Sequence, residues 1–260
     1  MGPAAAAHLT PPRTDREHVN LRYRYVHEPH PHLVIEEIVA PELYAALRFP
    51  DELVAPNAEW GITSSDAAYA EVLADPGWRA LHDELRAEPF VRSALAAFAA
   101  DMRAEGCLTD PQQARVVAYE EGRADKQKPV LAQRGDPQEI YTRLDFQCKG
   151  TGAYREFVHL DWPRRIVGGI LFFSDADEEG IEGGELALYR DRDFRNDRWC
   201  HDPQLVARFP ARHNTGVIFL NSNRGFHGPR AITRQTGYRR WLYFTISSMV
   251  DVWPCAQRAA

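Results

Sequence analysis

The spacing of apolar positions changes character along this chain, and each change marks a different kind of element. Between residues 66 and 105 large apolar residues recur every third or fourth position, as in Trp78, Leu81 and Leu85 and then Val91, Leu95, Phe98 and Met102. That period predicts amphipathic helices with these side chains as core. Asp75-Pro76-Gly77 and Glu88-Pro89 divide the region into two or three helices. After Gly106 the pattern shifts to short apolar runs punctuated by Gly, Pro, Asn and Asp, which predicts strands over residues 115–119, 140–148, 167–173, 185–189, 215–220 and 239–246. Ahead of the helices, residues 32–39 read as a strand, and Pro41 opens a short helix that Phe49-Pro50 stops. Residues 1–16, rich in Ala and Pro and without an apolar period, read as a disordered leader.

One predicted strand carries a second message. Over residues 140–148, Tyr141, Arg143, Asp145 and Gln147 share one face, and Thr142, Leu144, Phe146 and Cys148 share the other. If the helices cover the apolar face, the polar face lines whatever cavity the sheet encloses; a half-exposed strand with a solvated polar face is the equal alternative. The connections over 126–136 and 191–203 are long enough to cover or serve a site.

With 260 residues, 44% of them hydrophobic and 26% charged, the chain is long enough for a substantial core. It is read as a single domain over residues 17–260, with a helical support at about 40–105 and a mainly β core at about 115–250. No run approaches the roughly 20 apolar residues of a membrane helix, and residues 1–7 lack the features of a secretory signal, so a cytoplasmic protein with no membrane partner is expected. A net charge of −6 and a pI near 5.9 argue against nucleic acid, which requires clustered cations. Cys107, Cys148, Cys200 and Cys255 form no CxxC pair or repeated spacing, so neither a disulfide framework nor a zinc cluster is expected.

Chemistry enters with His159-Leu160-Asp161 and, far downstream, Phe226-His227-Gly228. On a strand, positions i and i+2 point the same way, so His159 and Asp161 can reach one ion while Val158 and Leu160 face apolar surroundings. Two imidazoles and a carboxylate form the ligand set that binds ferrous iron on one face and leaves positions open. Singly these residues say little, since the chain has ten histidines and a lone one is more often a hydrogen-bonded or surface residue.

The order of motifs is more specific. His159-Leu160-Asp161, Ile170-Leu171-Phe172-Phe173-Ser174, Gly183-Gly184-Glu185-Leu186, Thr215-Gly216-Val217-Ile218-Phe219-Leu220, Phe226-His227-Gly228 and Gly237-Tyr238-Arg239 follow one another through the β region. In this succession the chain resembles the non-haem Fe(II)- and 2-oxoglutarate-dependent oxygenases, in particular the branch similar to prolyl 4-hydroxylases. The segments His32-Leu33-Val34-Ile35-Glu36 and Pro41-Glu42-Leu43 also resemble the amino-terminal strand and helix of that branch, so the likeness runs from about residue 30 to 250.

The resemblance implies a mainly β fold with flanking helices, a double-stranded β-helix (jelly roll, cupin-like) backed by an N-terminal helical support. It implies that His159, Asp161 and His227 hold Fe(II), and that Arg239 pairs with the distal carboxylate of 2-oxoglutarate, for which a guanidinium fork is suited. Arg240 is the rival, and strand alternation lets one of the two face the barrel. Phe172 stands where some relatives carry a tyrosine that assists this arginine, which leaves Tyr243 or Thr245 as second donor. With O2, the cosubstrate would be converted to succinate and CO2 while an unactivated C–H bond is hydroxylated; desaturation or cyclisation starts from the same abstraction. An aspartate at 161 points to hydroxylation over halogenation, since halogenating relatives carry a small residue there. Arg143 and Asp145 would suit a small-molecule substrate with carboxylate and amine, such as a free amino acid or a metabolite derived from one. Trp162 would wall the pocket or pack under the sheet. A peptide or protein side-chain hydroxylase, and a non-catalytic or hydrolytic metal-binding jelly roll, are the alternatives.

Overall fold

A computed structural model describes residues 22–58, 61–122, 135–152 and 156–255. The leader expected over 1–16, and the loop expected over 126–136 apart from its last two residues, lie outside them. In chain order the elements are β1 (Tyr23–Val26), β2 (His32–Ile35), α1 (Pro41–Ala46), α2 (Ala67–Val72), α3 (Pro76–Arg86), α4 (Glu88–Ala97), α5 (Ala99–Ala104), β3 (Arg115–Val116), β4 (Glu139–Lys149), β5 (Arg165–Phe172), β6 (Glu182–Gly183), β7 (Leu186–Asp191), β8 (Pro203–Phe209), β9 (Gly216–Leu220), β10 (His227–Pro229), β11 (Ile232–Arg234) and β12 (Arg239–Ser248).

Seven strands form the major sheet in the order β1-β2-β9-β5-β12-β4-β3, antiparallel except for β3 against β4. A minor layer holds β10-β7-β8 and the pair β11-β6. From β5 onward the chain crosses from the major sheet to the minor layer at β6–β8, returns at β9, crosses again at β10–β11 and returns at β12. This winding is a jelly roll, and it brings β5 and β12, far apart in sequence, into neighbouring positions.

Each face of the major sheet has its own core. On the outer face, Leu144, Phe146, Cys148, Leu242 and Phe244 join the helical residues Trp78, Leu81, Leu85, Val91 and Leu95 in one buried cluster. The Trp78 ring lies 5.0 Å from Phe146 and 4.9 Å from Phe173, and Phe90 lies 5.8 Å from Phe244. Burying such side chains stabilises the support by roughly 1.5–3 kcal/mol each. Between the sheets, Ile170, Phe172, Phe219 and Trp241 meet Leu186, Leu188 and Ile232 of the minor layer. α3 starts where the pattern predicts, because Asp75 accepts from the backbone N–H groups of Gly77 (2.8 Å) and Trp78 (3.0 Å) and Pro76 occupies the first turn.

Several boundaries differ from expectation. Four helices, α2 to α5, occupy the region read as two or three; the additional break is at Phe98, whose φ of −108° and ψ of 6° leave the helical region without a Pro or Gly to signal it. The strand expected over 32–39 ends at Ile35, since Glu37 adopts a φ of 54° and Val39 is held instead by the Asn214 side chain, whose Oδ1 accepts from Val39 N at 2.9 Å and whose Nδ2 donates to Val39 O at 2.7 Å. The strand expected over 115–119 is reduced to β3, after which the chain leaves the sheet. β1 and β8 were not expected; both lie at sheet edges, and β8 is largely exposed, so neither shows a clear inward-facing apolar alternation. No helix among the described residues is long and apolar enough to cross a membrane.

Candidate metal centre and cavity

His159 and Asp161 lie in the segment that leads into β5, not in a strand of their own. His159 is tied to His227, the first residue of β10, by a reciprocal backbone bridge in which His159 N donates to His227 O at 2.9 Å and His227 N donates to His159 O at 3.0 Å. This single bridge replaces the expected strand and suffices to set both imidazoles on one side. Val158 and Leu160 point the other way and pack against Ala187, Tyr189 and Phe226. Asp161 Oδ1 is 3.9 Å from His159 Nε2 and Oδ2 is 3.8 Å from His227 Nε2, and one donor atom from each of the three residues lies within 4.8 Å of the others. Gly228 permits this approach, because a Cβ there would sit 2.1 Å from the Phe157 carbonyl.

The three donors suit a divalent ion chemically as well as geometrically. Burial, aided by the neighbouring His227, pushes the His159 pKa down to about 4, so the imidazole is neutral at neutral pH, the form that binds metal. Burial works to raise the Asp161 pKa, but the two imidazoles and the Tyr243 hydroxyl outweigh it and hold the carboxyl below its ordinary range. His227 uses Nδ1 against the Gly225 carbonyl at 2.9 Å, which turns Nε2 toward Asp161. An imidazole, imidazole and carboxylate set with open space in front of it is the facial arrangement of non-haem Fe(II) sites.

A second layer fixes the aspartate. The Tyr243 hydroxyl donates to Asp161 Oδ2 at 2.7 Å. Asn221 Oδ1 accepts from Asp161 N at 3.1 Å while its Nδ2 donates to Trp162 O and Arg165 O at 3.2 and 3.1 Å. Arg198, in the long connection between β7 and β8, donates to the Asp161 carbonyl and, at 2.6 Å, to Asn223 Oδ1. The connection expected over 191–203 therefore braces the candidate ligand Asp161 through its backbone carbonyl.

In front of the triad lies a cavity of about 280 Å³ whose lining includes seven residues expected at the site, His159, Asp161, His227, Arg239, Arg143, Asp145 and Trp162, together with Tyr243, but neither Arg240 nor Thr245. Arg239 is 2% exposed, and its guanidinium carbon lies 4.0 Å from the Trp241 ring centre and 5.2 Å from that of Phe172. Gly184 lies beside it at a φ of 72°, where a Cβ would come within 2.7 Å of Ile232 Cγ1 and would only touch Arg239 Cδ, at 3.4 Å. Arg240 points outward and donates to Asp51 and Glu179, both at 2.6 Å. Trp162 is 49% exposed at the cavity mouth and is not packed under the sheet; Phe157, 56% exposed, stands there too, stacked on His159 at 4.2 Å.

On β4, Arg143, Asp145 and Gln147 line the cavity while the alternate residues face the helices. Arg143 and Asp145 clasp each other, Nε to Oδ1 at 3.0 Å and Nη2 to Oδ2, so both carboxylate oxygens are engaged. Beyond them Glu121, 1% exposed, receives Arg165 and Arg164 (2.6 Å) and faces Arg143 at 3.8 Å. Burial works to raise the Glu121 pKa, yet Arg165, Arg143 and Arg164 hold it down at about 2.

Arg165, Glu121, Phe157, Asn221 and Arg198 were not singled out in the sequence. Arg164-Arg165 did carry a signal, two cations opening an otherwise apolar strand, but Glu121 and Arg198 lie among other charged residues and nothing local distinguishes them. Thr245, considered as a second carboxylate donor, accepts instead from Ser247 at 3.1 Å, and Tyr243 is directed to Asp161.

No family model matches the chain, and no curated protein matches it. Among solved structures it is similar to prolyl 4-hydroxylases from Phytophthora capsici (16% identity over 84% of this chain, TM-score 0.42), a 2OG-Fe(II) oxygenase family oxidoreductase from Burkholderia pseudomallei (11% over 85%, TM-score 0.41) and a prolyl-4-hydroxylase from Pseudomonas putida (15% over 84%, TM-score 0.34). The alignments span 58%, 86% and 86% of those chains, respectively.

Proposed function

We propose that this chain is a non-haem Fe(II)- and 2-oxoglutarate-dependent dioxygenase that hydroxylates an unactivated C–H bond of a small molecule, a free amino acid or a metabolite derived from one. The observation that carries this reading is the convergence of His159, Asp161 and His227 on one side of a cavity that also holds the buried guanidinium of Arg239. A non-catalytic or hydrolytic metal site has no use for an arginine so placed, whereas a dicarboxylate cosubstrate does.

His159, Asp161 and His227 would hold Fe(II), and Arg239, stacked on Trp241, would receive the distal carboxylate of 2-oxoglutarate. When bound, the metal with 2-oxoglutarate and O2 supplies the oxidising power that converts C–H to C–OH, with succinate and CO2 as the other products. The residues of this chain position and shield. Tyr243 and Asn221 fix the Asp161 carboxylate and backbone, Ile170, Leu186 and Trp241 keep the cavity wall apolar, and Trp162 with Phe157 flanks the entrance. Asp161 fills the position that a halogenating enzyme would leave small, which supports hydroxylation; desaturation or cyclisation would use the same residues.

The test is anaerobic addition of Fe(II) and 2-oxoglutarate, which is expected to produce a weak visible charge-transfer band that His159→Ala or Asp161→Ala abolishes. No band in metal-loaded wild-type protein would overturn the reading. The half-exposed Phe157 and Trp162 at the mouth favour a second reading, in which a peptide or protein side chain is the substrate. Succinate release stimulated by peptides but not by free amino acids would select it.

A further inference from the structure

The cavity has two cationic ends, and 2-oxoglutarate would occupy one of them. β12 connects them: Arg239 begins the strand and faces Lys149 of β4, Thr245 lies opposite Arg143, and Ser247 pairs with Arg165 of β5. Arg239 thus sits at one end of β12 and Arg165 of β5 beside the other, with Tyr243 and the Asp161 carboxylate it holds between them.

Arg165 is 2% exposed and lines the cavity. Its side-chain hydrogen bonds all leave through one nitrogen: Nη1 donates to Glu121 Oε2, to Ser247 Oγ at 2.8 Å and to Tyr141 Oη at 3.4 Å. Nε and Nη2 donate to no atom among the described residues, and neither belongs to the polar atoms that are sealed from solvent without a partner. A planar guanidinium anchored on one edge presents its other edge as a two-pronged donor, which matches a carboxylate. Glu121 does not fill that role, because it is shared among Arg143, Arg164 and Arg165.

Asp145 bears on the rest of the ligand. An ammonium group would need its negative charge, but the bidentate pair with Arg143 already neutralises that carboxylate. The body of the ligand would then meet Trp162, Phe157, Ile170 and the Tyr243 ring, a mostly apolar wall. We propose that Arg165 is the substrate's carboxylate anchor, and that the substrate is a small carboxylic acid with an apolar body and no requirement for a free ammonium group. What happens to the acid rests on the oxygenase reading; its recognition does not.

The experiment uses the full-length protein, anaerobic and loaded with Fe(II) and saturating 2-oxoglutarate, titrated by calorimetry with N-acetyl-L-leucine and with its neutral counterpart N-acetyl-L-leucinamide. The acid is expected to bind at least about tenfold more tightly than the amide. Arg165→Gln should abolish that preference, and Arg165→Lys should restore part of it. The visible band titrated with 2-oxoglutarate reports the first site independently, so absence of the band overturns the oxygenase reading while the acid-against-amide comparison stands by itself. Equal binding of acid and amide, no binding of either up to about 10 mM, tenfold above a millimolar Kd, or displacement of 2-oxoglutarate by the acid would each overturn the proposal. The comparison on wild-type protein holds even if the Arg165 variants fail to fold.

Discussion

Tyr243 donates its hydroxyl hydrogen to Oδ2 of Asp161 across 2.7 Å, joining the last long strand of the major sheet to a metal-ligand candidate that belongs to no strand. A tyrosine in that position sets the orientation of the carboxylate before any ion arrives. Tyr243→Phe should therefore keep the fold and weaken divalent-metal binding by about 10–100-fold, the usual cost of losing a partner behind a ligand. Chelator competition with Fe(II) or Co(II) measures it, and unchanged affinity would show that Asp161 is held well enough by Asn221 and Arg198.

Arg239 and Arg240 are adjacent and face opposite ways. Arg239→Met should raise the 2-oxoglutarate concentration needed for half-saturation of the visible band by about 10- to 100-fold, in line with the loss of charge-assisted hydrogen bonds. Fe(II) affinity should change little. Arg240→Ala breaks contacts with Asp51 and Glu179 and should lower thermal stability while leaving the 2-oxoglutarate requirement within about twofold.

Buried between three arginines, Glu121 cannot lose its charge cheaply. Glu121→Gln should destabilise the protein by about 3–5 kcal/mol, the range for removing one partner of a buried pair. Its folded pKa of about 2, against an ordinary 4.5, means that this contribution is complete above about pH 4.5 and disappears as pH falls toward 2. His159 acts in a higher window. Its folded pKa of about 4 lies below the ordinary 6.5, so the unfolded chain takes up the proton first, and metal-free protein loses stability as pH falls from 6.5 toward 4. Urea midpoints at pH 7, 5 and 3 should fall in both intervals for wild type, and Glu121→Gln should shrink the drop between pH 5 and 3 while leaving that between pH 7 and 5 unchanged.

At Gly169 in β5 the limit is steric. A Cβ there would lie 2.0 Å from the ring of Phe244, which is fully buried against the helical support. Gly169→Ala should lower stability by about 1–3 kcal/mol through overpacking. A drop of roughly 2–10 °C in melting temperature would reflect this, whereas an unchanged melting temperature would mean that Phe244 can move aside at no cost.

Much of this architecture was legible because it repeats a period. Trp78, Leu81, Leu85, Val91 and Leu95 announced the helical support through their spacing, and the alternation in β4 separated a helix-facing set from a cavity-facing set. The order of motifs, from His159-Leu160-Asp161 to Gly237-Tyr238-Arg239, was likewise visible, and His159, Asp161, His227, Arg239, Arg143, Asp145 and Trp162 line one cavity. Edge strands such as β8 were silent, since an exposed strand needs no apolar alternation.

Local pattern therefore determines which residues face inward, because periodicity is a property of short segments, and the order of motifs along the chain, more than any one of them, singles out His159, Asp161 and His227 as metal-ligand candidates. Partnership across the fold is decided by the tertiary structure. That Tyr243 serves Asp161, that Arg143 and Asp145 clasp each other, that Arg198 reaches the Asp161 carbonyl and that Glu121 gathers three arginines all depend on which strands lie side by side. The physical reason is that hydrogen bonds and ion pairs act over a few ångströms in space, whatever the separation along the chain.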